Sequence, residues 1–188
     1  MLNFTKQNKM EKTDLSRYKN NQKLSIRKVL WFFVNIVFFQ NPLNPSSILK
    51  VFLLRFFGTK TGVGITIKPK VNIKYPWLLE IGNHVWIGEE VWIDNLVVVK
   101  IGNNVCLSQG VTLLTGNHNY KKSSFDLMTD RIVLEDGVWI CAKAVVCSGV
   151  ICRSHSVLTI GSVITKNMEK YCVYQGNPAV LIRKRIIE

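Results

Sequence analysis

The chain has 188 residues, 47% of them hydrophobic and 20% charged, with a formal charge of +13. That is enough for one domain with a real core, and the composition is that of a globular rather than a disordered chain. Five cysteines without a CxxC pair exclude a zinc-ribbon or disulfide framework and fit small buried thiols in a reducing compartment.

Residues 1–60 carry 11 Lys and Arg against 2 acids, whereas residues 61–188 carry 14 against 10. An excess so concentrated fits an anionic surface such as lipid better than an acidic substrate, with a solvated basic tail as the even alternative. Nucleic acid is not expected as a partner. The first 28 residues are polar and basic, unlike a secretory signal, so the expected location is cytoplasmic, with the inner face of a membrane left open.

Residues 1–58 read as a basic extension with two short helices. VLWFFVNIVFF at 29–39 and ILKVFLLRFF at 48–57 are separated by Asn41-Pro42 and Asn44-Pro45, dipeptides that end helices. Each is shorter than the roughly 20 residues of a membrane span. Two readings stand: packing on the rest of the protein or a neighbouring subunit, or peripheral contact in a membrane interface.

From residue 59 to 170 a spacing takes over. Anchors Ile67, Ile73, Ile81, Ile87, Ile93, Ile101, Leu107 and Leu113 are six or eight residues apart; Leu134, Ile140, Val146, Cys152, Leu158 and Ile164 follow at steps of six. Four residues after most anchors comes a small or β-branched residue, such as Val71, Val85, Val97 or Val111. Repetition this short marks a β-solenoid, because period-2 alternation alone would carry no six-residue anchor. Each hexad is a short strand and a corner, three hexads make a triangular coil, and the anchors point inward. Glycine after an anchor admits a tight corner. The long steps begin at Ile73, Ile93 and Leu113 and so fall on one side of the prism. The 21-residue step after Leu113 is the largest of them, and its loop, 114–133, holds His118 on one edge of a stiff column.

The hexads, with TGNHNY, DGVWICAKAVV, GSVITKN and YQGNPAVLIRKR, resemble hexapeptide-repeat acyltransferases. Within that family KYPWLLEIGNHVWIGEEVWIDNL and FDLMTDRIVLEDGVWI are most similar to the colanic acid and capsular polysaccharide O-acetyltransferases of the galactoside acetyltransferase-like group. The likeness spans about residues 50–186. It implies an all-β fold, a left-handed parallel β-helix with a protruding loop and an N-terminal helical extension. It also implies a homotrimer with acetyl-CoA between neighbouring subunits, and direct acetyl transfer to a sugar hydroxyl without metal or covalent cofactor. His118 matches the family's catalytic histidine, the general base. Asn95 matches an acceptor-binding asparagine. Ala142, Thr165 and Lys166 match positions along the CoA groove, and Arg183 matches a residue that meets the nucleotide phosphates. Thr159-Ile160 replaces a small-residue pair in that groove, and Cys152-Arg153 replaces an aliphatic-glycine pair. Gly176-Asn177-Pro178 would turn the tail, 171–188, back across the column.

Tyr120, Phe125 and Asp126 lie in the loop and are candidates for the acceptor, against plain loop packing; Asp126 is also a candidate to orient a histidine. Trp86, Trp92 and Trp139 end their hexads and would cover the column, with Trp139 nearest to CoA. His84 and His155 fall in regular hexads and are read as surface residues. A zinc anhydrase of this fold needs three converging histidines, and the loop has one. An acetyltransferase for a small-molecule acceptor and a non-catalytic solenoid scaffold stay open as alternatives.

Overall fold

The structure is a computed structural model that describes residues 12–18 and 25–188. Much of the basic stretch ahead of the first helix lies outside the described residues.

Residues 59–164 wind into a left-handed parallel β-helix whose strands form three sheets. The first sheet runs Lys60–Thr61, Leu79–Ile81, Val99–Ile101, Ile132–Leu134 and Ile151–Cys152. The second begins at Thr66–Ile67 and the third at Asn72–Ile73. The expected anchors sit in register from coil to coil: Ile81 beside Ile101, then Leu134, then Cys152; Ile67, Ile87, Leu107, Ile140 and Leu158; Ile73, Ile93, Leu113, Val146 and Ile164. All are buried. Each filled ladder position is worth roughly 1.5–3 kcal/mol of burial, so the axis of the column is its core. The small and β-branched residues four after an anchor are buried as well, with Val97 the exception. It is only half-buried, and Val99 takes the inward place instead, because the two-residue insertion after Ile93 shifts the inward phase.

The corners have two separate requirements. The third residue after an anchor takes left-handed backbone, as at Lys70, His84, Glu90, Asn104 and Lys143. The residue directly after the anchor is pressed against the next coil: a Cβ on Gly82 would lie 2.6 Å from the carbonyl carbon of Gly102. That glycine is needed for close approach of two backbones rather than for its φ. His84 and His155 occupy left-handed corners with their rings over Gly64 and Gly137, and His155 stacks on Tyr171 at 4.8 Å. Their role is corner packing.

The helices fall where the sequence places them. Ile26–Val34 (α1), capped by Ser25, continues as a wider π turn over Asn35–Phe39, and Ser47–Phe56 (α2) is capped by Ser46. Together they cover the open end of the first coil, where strand polar groups lack a preceding coil to bond. The Trp31 indole donates to the Ile73 carbonyl at 2.7 Å. The Lys50 ammonium, fully buried, donates to the carbonyls of Asn44, Ile67 and Lys68, and its burial holds its pKa below the ordinary lysine value. At the other end Cys172–Gly176 joins the second sheet in parallel, and Ala179–Lys184 folds back against it. All five cysteines are free; Cys152 and Cys172 are buried and the other three half-buried. No described helix is long and apolar enough to cross a membrane.

Candidate active site

The loop after Leu113 is an arm with a rigid root. Thr115 is buried; its hydroxyl donates to the Asp94 carbonyl and accepts from Leu96 N–H. Ser148, one coil on, donates to the Thr115 carbonyl and accepts from Asp130 N–H. Both ends of the arm are thereby tied to the column. Gly116–His118 then pairs antiparallel with Leu127–Thr129, with His118 opposite Leu127.

His118 is held by its neighbours at the tip. Its Nδ1 lies 2.9 Å from the Phe125 carbonyl oxygen. A carbonyl only accepts, so Nδ1 carries a proton, and the neutral tautomer compatible with this contact has its lone pair on Nε2. The imidazole also lies flat on the Phe125 ring, with centroids 4.4 Å apart and planes 6° from parallel. Phe125 adopts φ of 51°, which brings its carbonyl and ring to the same histidine. The orienting group is therefore a backbone carbonyl. The Asp126 carboxylate is engaged by Lys122 at 3.2 Å, and hydrogen bonds from Ser124 and Lys122 keep its pKa below the usual carboxylate value.

Sequence reasoning missed a third element here. Residues 12–18, from the N-terminal extension, lie across the arm. Asp14 N–H donates to the Ser123 carbonyl at 2.8 Å, Arg17 donates to the Ser123 hydroxyl, and Tyr18 meets His118 edge-on at 5.5 Å. The DLSRY stretch has no periodicity to reveal such a contact. Tyr120 stands exposed on the arm. Asn95 is placed differently from the expectation: it is fully buried, its amide donates to the Tyr75 carbonyl and its oxygen accepts from Tyr75 N–H. It serves as a clamp on the inserted corner, because a side chain closed off in this way does not reach an acceptor.

The second feature is a groove of about 860 Å³ between the second sheet and the C-terminal strand. Trp139, Ala142, Thr159, Ile160 and Arg183 line it, with Ser108 accepting from the Trp139 indole at 2.9 Å. Ile160 is exposed at the groove. Cys141 is also there, its thiol pushed up to about 11 by burial and by the neighbouring Cys106, so at neutral pH it is protonated and a weak nucleophile. Arg185 spends its guanidinium on the Gly137 and His155 carbonyls. Arg183, by contrast, has no ion-pair partner among the described residues. Thr165 and Lys166 lie elsewhere, exposed just after Val163–Ile164, on the same edge of the prism that carries the arm.

The two features belong to different sides of one chain. The arm leaves the edge between the third and first sheets, the one edge that the second sheet does not reach. No residue of the arm lines the groove.

The chain matches no protein-family model. It is 33% identical over 162 residues to WcaF of Escherichia coli K12, a protein assigned to colanic acid biosynthesis as an acetyltransferase, and the match covers 86% of this chain and 89% of WcaF. The chain belongs to the hexapeptide-repeat acetyltransferases. Galactoside O-acetyltransferase of E. coli K12 is similar to this acetyltransferase at 28% identity over 148 residues, covering 77% of this chain and 73% of that one. Among solved structures, a hexapeptide-repeat acetyltransferase from Vibrio cholerae complexed with acetyl-CoA superposes with a TM-score of 0.74 at 21% identity, over 85% and 86% of the two chains. That likeness concerns the fold, and in this acetyltransferase the fold is what separates groove from arm.

Proposed function

We propose that the protein transfers the acetyl group of acetyl-CoA to a sugar hydroxyl of a polysaccharide precursor, with His118 as the general base. The observation that carries the reading is the hydrogen bond from His118 Nδ1 to the Phe125 carbonyl, which leaves Nε2 as a fixed acceptor for a proton. The similarity to WcaF supports the substrate class.

In this reading Nε2 takes the proton of the acceptor hydroxyl as its oxygen attacks the thioester carbonyl carbon. A tetrahedral intermediate collapses, the carbon–sulfur bond breaks, and the imidazolium returns the proton to the departing CoA sulfur. No acyl-enzyme forms, in keeping with the protonated thiol of Cys141 beside the groove. The pantetheine lies along Trp139, Ala142 and Ile160, and the unpaired Arg183 guanidinium meets phosphate through charge-assisted bonds. Because arm and groove lie on different sides of a chain, the imidazole of one copy works on the thioester held by the next. A closed ring, a trimer for a three-sided column, lets every groove receive an arm. Thr165 and Lys166, on the arm's edge, then border the CoA from the neighbouring copy. Tyr18 and Tyr120 face the acceptor.

Purified protein supplied with acetyl-CoA and a panel of glycans and small hydroxyl acceptors, followed by release of free thiol, tests the proposal. Turnover should require a glycan and fall roughly 10²–10⁴-fold in His118→Ala. Full activity in that variant removes the base, and turnover confined to small acceptors such as simple galactosides or serine removes the polysaccharide assignment.

A further inference from the structure

The two helices that close the column turn the wrong kind of surface outward. Toward the core they bury Trp31, Phe39, Lys50 and Leu54. Toward solvent α1 with its π turn presents Phe32, Phe33 and Val37, and α2 presents Ile48, Phe52 and Phe56; the four phenylalanines are 58%, 60%, 61% and 76% exposed. Charge does not dilute this surface on α1. Its only charged residues, Arg27 and Lys28, lean inward over Trp77 and Tyr75. Scattered apolar residues are ordinary on a protein surface, but a helix pair whose outward side is this apolar marks a docking surface.

Charge decides what docks. The 24 residues leading directly into α1 carry six Lys and Arg against two acids. A second copy would bring the same excess of positive charge against it. An anionic lipid surface is complementary on both counts, taking the aromatic side chains into the acyl boundary and attracting the positive charge of the chain. One signal alone gives marginal, reversible attachment, and here the two are contiguous in the chain. Neither helix is long enough to span. The groove is built from residue 108 onward, beginning two coils beyond the one the cap covers, so docking by this end leaves it open.

We infer that the helical cap forms a peripheral docking surface for anionic bilayers, favoured by the positive charge that precedes it in the sequence, an inference that does not rest on the identity of the acceptor. The test is flotation of the full chain with vesicles of phosphatidylethanolamine and phosphatidylglycerol, and with vesicles of phosphatidylcholine alone. The wild type should float with the anionic vesicles, less so as salt is raised, and poorly with the neutral ones. The triple variant F32S/F33S/F52S should lose binding by roughly tenfold or more while keeping its affinity for CoA and its mass in light scattering. A second variant, K6Q/K9Q/K19Q/K23Q, leaves the cap intact and should weaken anionic binding alone, so the inference stays testable if the first fails to fold. It is overturned if the wild type floats with neither vesicle or equally with both. It is also overturned if the phenylalanine variant binds as wild type, or if that variant falls apart into single chains, which would make the patch a subunit contact.

Discussion

The histidine in the arm differs from the other two by what its ring nitrogens meet. His84 and His155 spend their rings on glycines at left-handed corners, whereas the His118 ring is clamped by the carbonyl and the phenyl of one residue. Tyr18 adds an edge contact from a distant part of the chain. Tyr18→Ala should lower kcat/KM for the acceptor about tenfold and leave KM for acetyl-CoA unchanged, read from initial rates with each substrate varied. An equal effect on both substrates would mean a general loss of structure. Cys152 offers a second check at this scale. Burial, aided by Glu135, pushes its thiol from 9.0 up to about 12. The native state thus keeps a proton that the unfolded chain releases above about pH 9, so the stability contributed by the neutral thiol is complete below pH 9 and is lost as pH rises toward 12. Melting of the wild type should therefore lose ground to Cys152→Val across that window and not below it. His118 was legible in the sequence, since it stands in the one long break of a strict spacing. Its clamp was not, because a backbone carbonyl has no residue type to betray it.

At the scale of elements, the column and its cap follow different rules. The hexads specify their own strands: the inward anchor, the close-approach glycine and the left-handed corner recur at fixed offsets, so register is set locally. The cap is specified by what the first coil lacks. Two carbonyls at the open end, of Ile67 and Lys68, and the cap's own Asn44 carbonyl turn to one ammonium, that of Lys50. Lys50→Met, which keeps the apolar stem and removes the donors, should cost about 3 kcal/mol through unsatisfied buried carbonyls. That corresponds to a fall in Tm of roughly 5–10 °C in thermal unfolding; a variant as stable as wild type would show that the carbonyls find other partners. The sequence placed both helices by their apolar runs and flanking prolines. It did not show that a lysine inside ILKVFLLRFF is core, because Lys50 in a helix reads as surface until a ring of carbonyls is put beside it.

For the whole molecule the decisive fact is that the arm and the groove do not share a side. An active site made from both requires two copies, and this gives a prediction that a single chain cannot satisfy. His118→Ala and Ala142→Trp, the second filling the groove, should each be inactive alone. Coexpressed, they should recover activity at about a quarter of the sites, the fraction expected when an intact arm meets an intact groove at random in a ring. Recovery at background, with mixed oligomers verified by native mass spectrometry, would place the whole site in one chain.

The sequence by itself determined the column, its three-sided coil and the edge from which the arm leaves, because each depends on offsets of a few residues that the chain states openly. The tertiary structure alone decided which atom fixes the imidazole, that residues 12–18 lie across it, that Asn95 is a clamp, and that CoA-groove candidates 165 and 166 stand apart from 139, 142, 160 and 183. Those facts arise where irregular segments meet, between residues tens of positions apart with no repeat linking them, and only packing brings them together.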